Sequence, residues 1–220
     1  MKIDPDLGGS LLESSLYSLE NMGAELIYSD CVKNPPAKLN SLVWRGESVG
    51  FYRARLCIFE AEGRFRAETL VIYPSVGHFL PIFGSEYIEL PTKSLAVIDF
   101  HPVNRNLDPI NRYLASEPPR TVEKSPHYDL DGFFSPKMWQ KRGGKGMYGE
   151  YREAFERYVK TYLSMLSSNT SQSVDYPSSH IPYNEYMAAH DPARGILKAY
   201  FGLEFADDYI KQFLFGKKGS

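Results

Sequence analysis

Hydrophobic and polar positions change period twice along the chain. Residues 10–26, SLLESSLYSLENMGAEL, put Leu11, Leu12, Leu16 and Leu19 on one face at helical spacing, with Ser10 placed as N-cap and Glu13 as its capping-box partner. This predicts an opening amphipathic helix. After the Asn34-Pro35-Pro36 break the period shortens. LVWRG from Leu42, GFYRARLCIFEAE from Gly50, RAETLVIYP from Arg66, YIEL from Tyr87 and SLAVIDF from Ser94 read as strands separated by Gly, Pro and Ser turn signals. Consecutive strands on short links, with no helix between them, predict an antiparallel meander. Residues 101–146 read as irregular, punctuated by Pro102, Pro109, Pro118, Pro119, Pro126 and Pro136 and closed by RGGKG. Helical spacing returns over 147–168, where Tyr151, Phe155, Tyr158, Tyr162 and Met165 recur at three and four residues. A polar loop over 167–182 leads to a segment at 183–190 and a last helix near 205–214. Helix, then strands, then helices is an α+β layout: one sheet with helices on its faces.

Size and composition narrow the class. A chain of 220 residues, 43% hydrophobic and 24% charged, fits one globular domain spanning 1–220. The net charge of −2 gives no footprint for general nucleic-acid binding. Cys31 and Cys57 are too few for a disulfide framework or a four-cysteine zinc site and suit reduced thiols. No basic start precedes an apolar run and no stretch nears the roughly 18 apolar residues of a span, so a soluble, cytoplasmic protein is expected. Aromatic content, 14% with 16 Tyr and 13 Phe, is high. Either the rings fill a core, or some face a flat conjugated ligand.

Motifs for common chemistries do not occur: there is no GxGxxG, Walker A, HExxH, GxSxG or CxxC, and the five histidines never fall at i, i+4. No metal site is expected. Two acidic positions stand out. Glu86 follows the apolar stretch Phe79-Leu80-Pro81-Ile82-Phe83-Gly84, where an apolar surrounding would push a carboxyl's pKa up, as a proton donor needs. Asp191 lies between His190 and Pro192, and its spacing equally suits a helix N-cap with proline at the first helical position.

Five segments in order carry a resemblance: LPIFGSEYIEL at 80–90, LAVIDFHP at 95–102, GFFSPKMW at 132–139, YNEYMAAHDPARGILKAYFG at 183–202 and FLFGKK at 213–218. Together the chain resembles the ferredoxin-dependent bilin reductases, which reduce biliverdin to phycobilins and phytochromobilin. The resemblance implies a three-layer α/β/α sandwich with a central antiparallel sheet. It also implies an open-chain tetrapyrrole between the sheet and the C-terminal helices. Family members hold no prosthetic group; an external 2Fe–2S ferredoxin supplies single electrons, bilin radicals form, and side chains supply protons.

The same resemblance assigns catalytic roles to Glu86 and Asp191. Glu86 occupies the position after FGx where the family usually has aspartate, one methylene shorter. Asp191 matches the aspartate that members reducing the A-ring system use from the opposite side of the bilin. Members that reduce the D-ring vinyl place a histidine seventeen residues before the FGx acid; here that position is Thr69, which disfavours D-ring chemistry. Met187 stands where some members carry an arginine. The implied substrate is biliverdin IXα or 15,16-dihydrobiliverdin and the leading product phycoerythrobilin. A two-electron A-ring reduction giving phytochromobilin, or bilin binding without turnover, are the alternatives. Arg142, Arg194, Arg53 and Arg55 are candidates for the bilin propionates. Lys137, Lys141, Lys145, Lys217 and Lys218 could form a basic patch for an acidic ferredoxin.

Overall fold

The computed structural model describes residues 19–75, 80–118, 132–144, 146–168 and 180–216. Seven strands form one sheet: β1 (Glu25–Asn34), β2 (Ala37–Gly46), β3 (Phe51–Ala61), β4 (Phe65–Pro74), β5 (Ile82–Glu89), β6 (Ser94–His101) and β7 (Trp139–Gly143). Their order in space is their order in sequence, and each neighbouring pair is antiparallel. Helices accompany them: α1 (Asp108–Tyr113), α2 (Tyr148–Ser167), α3 (Ile181–His190), α4 (Ala193–Phe201) and α5 (Leu203–Asp208), the last running on into a π-helical turn at Tyr209–Leu214.

Because side chains alternate across a strand, this meander sorts its residues onto two faces. One face, with Leu56, Ile58, Leu70, Ile72, Phe83, Tyr87, Ile98 and Phe100, packs on α2 through Tyr151, Phe155, Tyr158 and Tyr162, the residues that recur at three and four in the sequence. Burying each of these large side chains stabilises the fold by roughly 1.5–3 kcal/mol. The phenols stay tolerable inside because each finds a partner: Tyr151 shares a hydrogen bond with Ser85 (2.8 Å), Tyr158 donates to the Lys137 carbonyl (2.7 Å), and Tyr162 donates to the Pro81 carbonyl (3.0 Å). The other face, with Ala37, Leu39, Val43, Cys57 and Phe59, packs on Leu197, Ala206, Ile210, Phe213 and Leu214 of the C-terminal helices. Helix, sheet and helix make the three layers expected. Aromatic rings divide between the two interfaces, and the α2 side is ordinary core.

Four local readings need correction. The opening helix was expected to reach residue 26, but helix is present only up to Asn21 and a strand begins at Glu25. Gly23 adopts φ +95, and the Ala24 amide returns to the Leu19 carbonyl at 2.9 Å, an ending that glycine favours. β1 escaped notice because it is an edge strand of mostly exposed, polar residues. β7, also at an edge, lies in the stretch expected to be irregular, as does α1, which carries Pro109 in its first turn. α4 starts directly after Pro192, so the C-terminal layer holds one more helix than the hydrophobic spacing indicated.

Gly84 on β5 marks a close approach. A Cβ placed there would lie 2.4 Å from Nε2 of His101, whose buried ring crosses the strand at that point. Gly84→Ala must therefore displace a packed ring. It is expected to lower stability by about 1–3 kcal/mol, read as a lower urea midpoint with an unchanged m-value.

Candidate active site

The register of the sheet sets out the site. On the face toward the C-terminal helices, Ser41, Cys57, Thr69 and Glu86 stand in one row across β2 to β5. The next row along the strands is Val43, Arg55, Val71, Gly84 and Asp99, and on the other side lie Leu39, Phe59, Ala67 and Ile88. Opposite this floor, Asp191, Pro192, Ala193, Ile196 and Leu197 come down from the junction of α3 and α4, with Tyr209 and Leu214 from the π-helical turn. Together they enclose a cavity of about 90 Å³ whose lining includes both Glu86 and Asp191. The two acids that the sequence separates by more than a hundred positions share one space, one on each wall. Thr69 pairs directly with Glu86, so the seventeen-residue spacing is the distance around one β-hairpin.

Pro192 shapes the acid on the helical wall. A residue before proline is kept out of the α region, and Asp191 is extended (φ −65, ψ 119), ending α3 and redirecting the chain into α4. Pro192, one residue later than the sequence suggested, takes the capping position; the Asp191 carboxylate nevertheless accepts the Ala193 amide at 2.7 Å. Burial pushes the Asp191 carboxyl above its ordinary pKa, against opposing pulls from the Ala193 amide and the Arg55 guanidinium. A cavity carboxyl whose pKa is raised is better suited to act as an acid toward whatever occupies the cavity.

The candidate cations behave differently from one another. Arg55 is buried and lines the cavity, with Nη1 3.9 Å from Sγ of Cys57 and its guanidinium 5.1 Å from the Phe215 ring centroid. Arg53, two residues earlier, donates from Nη1 to the Gly216 carbonyl at 2.8 Å and also to the Phe213 carbonyl, fastening the chain end to the sheet. Arg194 is exposed and directed at Asp207 of α5 (3.2 Å), away from the cavity lining. Arg142 is exposed on the edge strand β7, in the row of Ile88 and Leu95. Lys137 donates to the Glu117 carbonyl and Lys141 pairs with Glu150 of α2. Lys145, Lys217 and Lys218 lie outside the described residues.

Beside the cavity floor the structure adds a polar cluster that motif searching missed. Asp99, fully buried, accepts from the amides of Phe100 and Ser135 (both 2.9 Å) and from the Ser135 hydroxyl, and lies 3.4 Å from Nδ1 of His101. The same Nδ1 is 3.0 Å from the Phe133 carbonyl. Burial raises the pKa of Asp99 and lowers that of His101. This cluster fixes the FFSP loop to β6, and Phe133 in turn stacks on Tyr186 of α3 at 4.5 Å. The signal was present in the DFH of LAVIDFHP, because residues at i and i+2 on a strand share a face. Among the described residues no three His, Cys, Asp or Glu gather as metal ligands, and no helix is long and apolar enough to cross a membrane.

The model of the family described as ferredoxin-dependent bilin reductase matches residues 31–216. The chain belongs to this family. Its relatives include 15,16-dihydrobiliverdin:ferredoxin oxidoreductase of Prochlorococcus marinus strain NATL1A, 32% identical over 93% of this chain and 94% of the relative. Phycoerythrobilin:ferredoxin oxidoreductase of P. marinus strain MIT 9211 is 27% identical over 83% of this chain and 79% of its own. Among solved structures, tomato phytochromobilin synthase in complex with biliverdin superposes with a TM-score of 0.71 over 94% of this chain and 83% of that one, at 19% identity. The bilin reductase fold is thus shared across widely diverged sequences. This chain is accordingly a ferredoxin-dependent bilin oxidoreductase by family.

The raised pKa of Asp191 has a sign. The folded state keeps this proton to higher pH than the unfolded chain, so the carboxyl detracts from stability increasingly as pH rises above about 4. Asp191→Asn keeps an oxygen for the Ala193 amide and removes the titration. Its Tm is expected to match that of the parent near pH 4 and to exceed it by a few degrees at pH 8, with each kcal/mol equal to roughly 2–4 °C. Differential scanning calorimetry at pH 4, 6 and 8 checks this.

Proposed function

We propose that this bilin reductase carries biliverdin IXα through a four-electron reduction to phycoerythrobilin, by sequential single-electron transfers from a 2Fe–2S ferredoxin. The observation that supports this reading is the pair of carboxyls on opposite walls of one cavity. Each two-electron stage consumes two electrons and two protons. Two stages at different parts of the tetrapyrrole call for proton donors reaching different atoms. Glu86, on the floor, delivers protons for reduction at the C15 bridge, and Asp191, its pKa raised by burial, serves the A-ring diene. Thr69, the nearest neighbour of Glu86 across the hairpin, has no proton to give near neutral pH, which supports leaving the D-ring vinyl intact.

A cavity of about 90 Å³ falls short of the roughly 300–1,000 Å³ of a small-molecule site. A bilin would need more of the space between the sheet and the C-terminal layer than this cavity takes up. Arg55 is the cation in the lining and the first candidate to meet the bilin; Arg142, exposed at the sheet edge, is the candidate for a propionate that reaches solvent. Electron entry from the side of Lys137 and Lys141 suits an acidic donor. Joint Lys141→Glu and Lys145→Glu replacement is expected to slow ferredoxin-driven turnover at low salt severalfold, with bilin affinity unchanged; titration of rate against ferredoxin concentration checks it.

A second reading, a two-electron enzyme working between biliverdin and 15,16-dihydrobiliverdin, is favoured by the relative of that name, 32% identical across 93% of the chain. An anaerobic assay with biliverdin, ferredoxin and a reducing system, followed by chromatography over time, separates the two. The four-electron reading expects 15,16-dihydrobiliverdin to appear and then give way to phycoerythrobilin. Asp191→Asn should stall at the dihydro product, its second stage slowed roughly 10²–10⁴-fold, and Glu86→Gln should slow the first by a similar factor. A parent enzyme that stops at the dihydro product establishes the two-electron reading instead.

A further inference from the structure

Burial opposes a charge on Arg55, but the Tyr73 phenol, the Cys57 thiol and Tyr183 favour it by more, so the guanidinium pKa lies above its ordinary value. The residue is 2% exposed, and the surrounding groups are the Cys57 thiol, the Phe215 ring and the phenol of Tyr73. No ion pair joins Arg55 to a carboxylate among the described residues, and its Nε has no hydrogen-bond partner. The acid across the cavity, Asp191, lines the same space, and burial raises its pKa against the pull of the Arg55 guanidinium. The guanidinium therefore keeps its proton. A buried, permanent cation without a carboxylate partner is useful where negative charge develops during a reaction.

We propose that Arg55 is a catalytic residue that stabilises the negative charge the bilin acquires with each electron. This rests on the reading that a bilin occupies the cavity. Reduced 2Fe–2S ferredoxin gives one electron, its iron passing from Fe(II) to Fe(III), and the conjugated bilin becomes a radical anion with charge drawn onto its lactam oxygens. Arg55 donates hydrogen bonds to that charge from the floor. The O–H bond of a cavity carboxyl then breaks as a bond from that proton to the bilin forms, and water returns a proton to the carboxylate. A second electron and proton complete the two-electron stage. Glu86 and Asp191 provide protons; Arg55 provides the potential that lets the electron arrive first.

The test is a mediated spectroelectrochemical titration of biliverdin bound to the full chain, without ferredoxin, for the parent, Arg55→Met and Arg55→Gln. Loss of the charge is expected to make the first reduction roughly a hundredfold less favourable. At 59 mV per tenfold for one electron, that is about 120 mV more negative. Ferredoxin-driven single turnover at saturating biliverdin should fall by a similar factor while biliverdin affinity changes less than about fivefold. Thermal melting of the ligand-free variants checks that both fold.

A midpoint within about 30 mV of the parent overturns the proposal. So does a loss confined to affinity, which would make Arg55 an anchor for a substrate carboxylate. Failure of both neutral variants to fold would assign Arg55 a structural role and likewise overturn it. Parent protein that binds biliverdin but is not turned over by ferredoxin defeats the enzymatic reading alone, since the potentials still measure the effect of Arg55. Parent protein that binds no biliverdin defeats both.

Discussion

Register governs this molecule. Side chains on a strand alternate with a period of two, so a slip of one residue in any pairing would move every side chain of that strand to the opposite face. Here seven strands pair in sequence order, and the row Ser41, Cys57, Thr69, Glu86 exists only because three successive pairings are each correct. The apolar residues that pack on α2 hold that register in place. Shifting β5 by one position would send Glu86 into the aromatic layer and bring Ser85 or Tyr87 onto the cavity floor, at the loss of most of the contacts that make the α2 interface stable. The packing of one face thus specifies the chemistry of the other.

The two faces use buried polarity in contrasting ways. Under α2, phenol groups are matched one by one with carbonyl and hydroxyl partners, which leaves that layer rigid. On the cavity side, polar groups accumulate instead: Arg53 is used up on chain-end carbonyls, Asp99 and His101 on the FFSP loop, and Arg55 and Asp191 face the cavity itself. The first two sets are used up within the scaffold. The last set lines the cavity itself.

The meander, the α2 stripe and the two acids could be read from the chain because each leaves a local trace. Alternation marks β3 and β4, three-and-four spacing marks Tyr151 to Met165, and the apolar run before Glu86 and the proline after Asp191 give both positions a physical context. Edge strands leave a weaker trace: β1 and β7 are half exposed and polar, and lose the pattern that burial would impose. Arg53 and Arg55 are indistinguishable as sequence, since both point to the same face two residues apart. Only the position of the C-terminal turn decides that one meets carbonyls and the other a cavity. Asp99 and His101 were overlooked for a related reason, as their partners arrive from Phe133 and Ser135 some thirty positions later.

Strict sequence-order pairing also bears on how the chain acquires its shape during synthesis. Each strand can add to the one made just before it, so loops closed in building the sheet are mostly short and topology slows folding less than in crossed β architectures. The sheet is complete at Gly143, whereas the helices that cover the cavity begin at Ile181. With translation at about 5–20 residues per second, the floor with Glu86 and Arg55 exists for seconds before its roof leaves the ribosome. During that interval an apolar, charged trough stands open, and the last helices to emerge convert a surface into an interior.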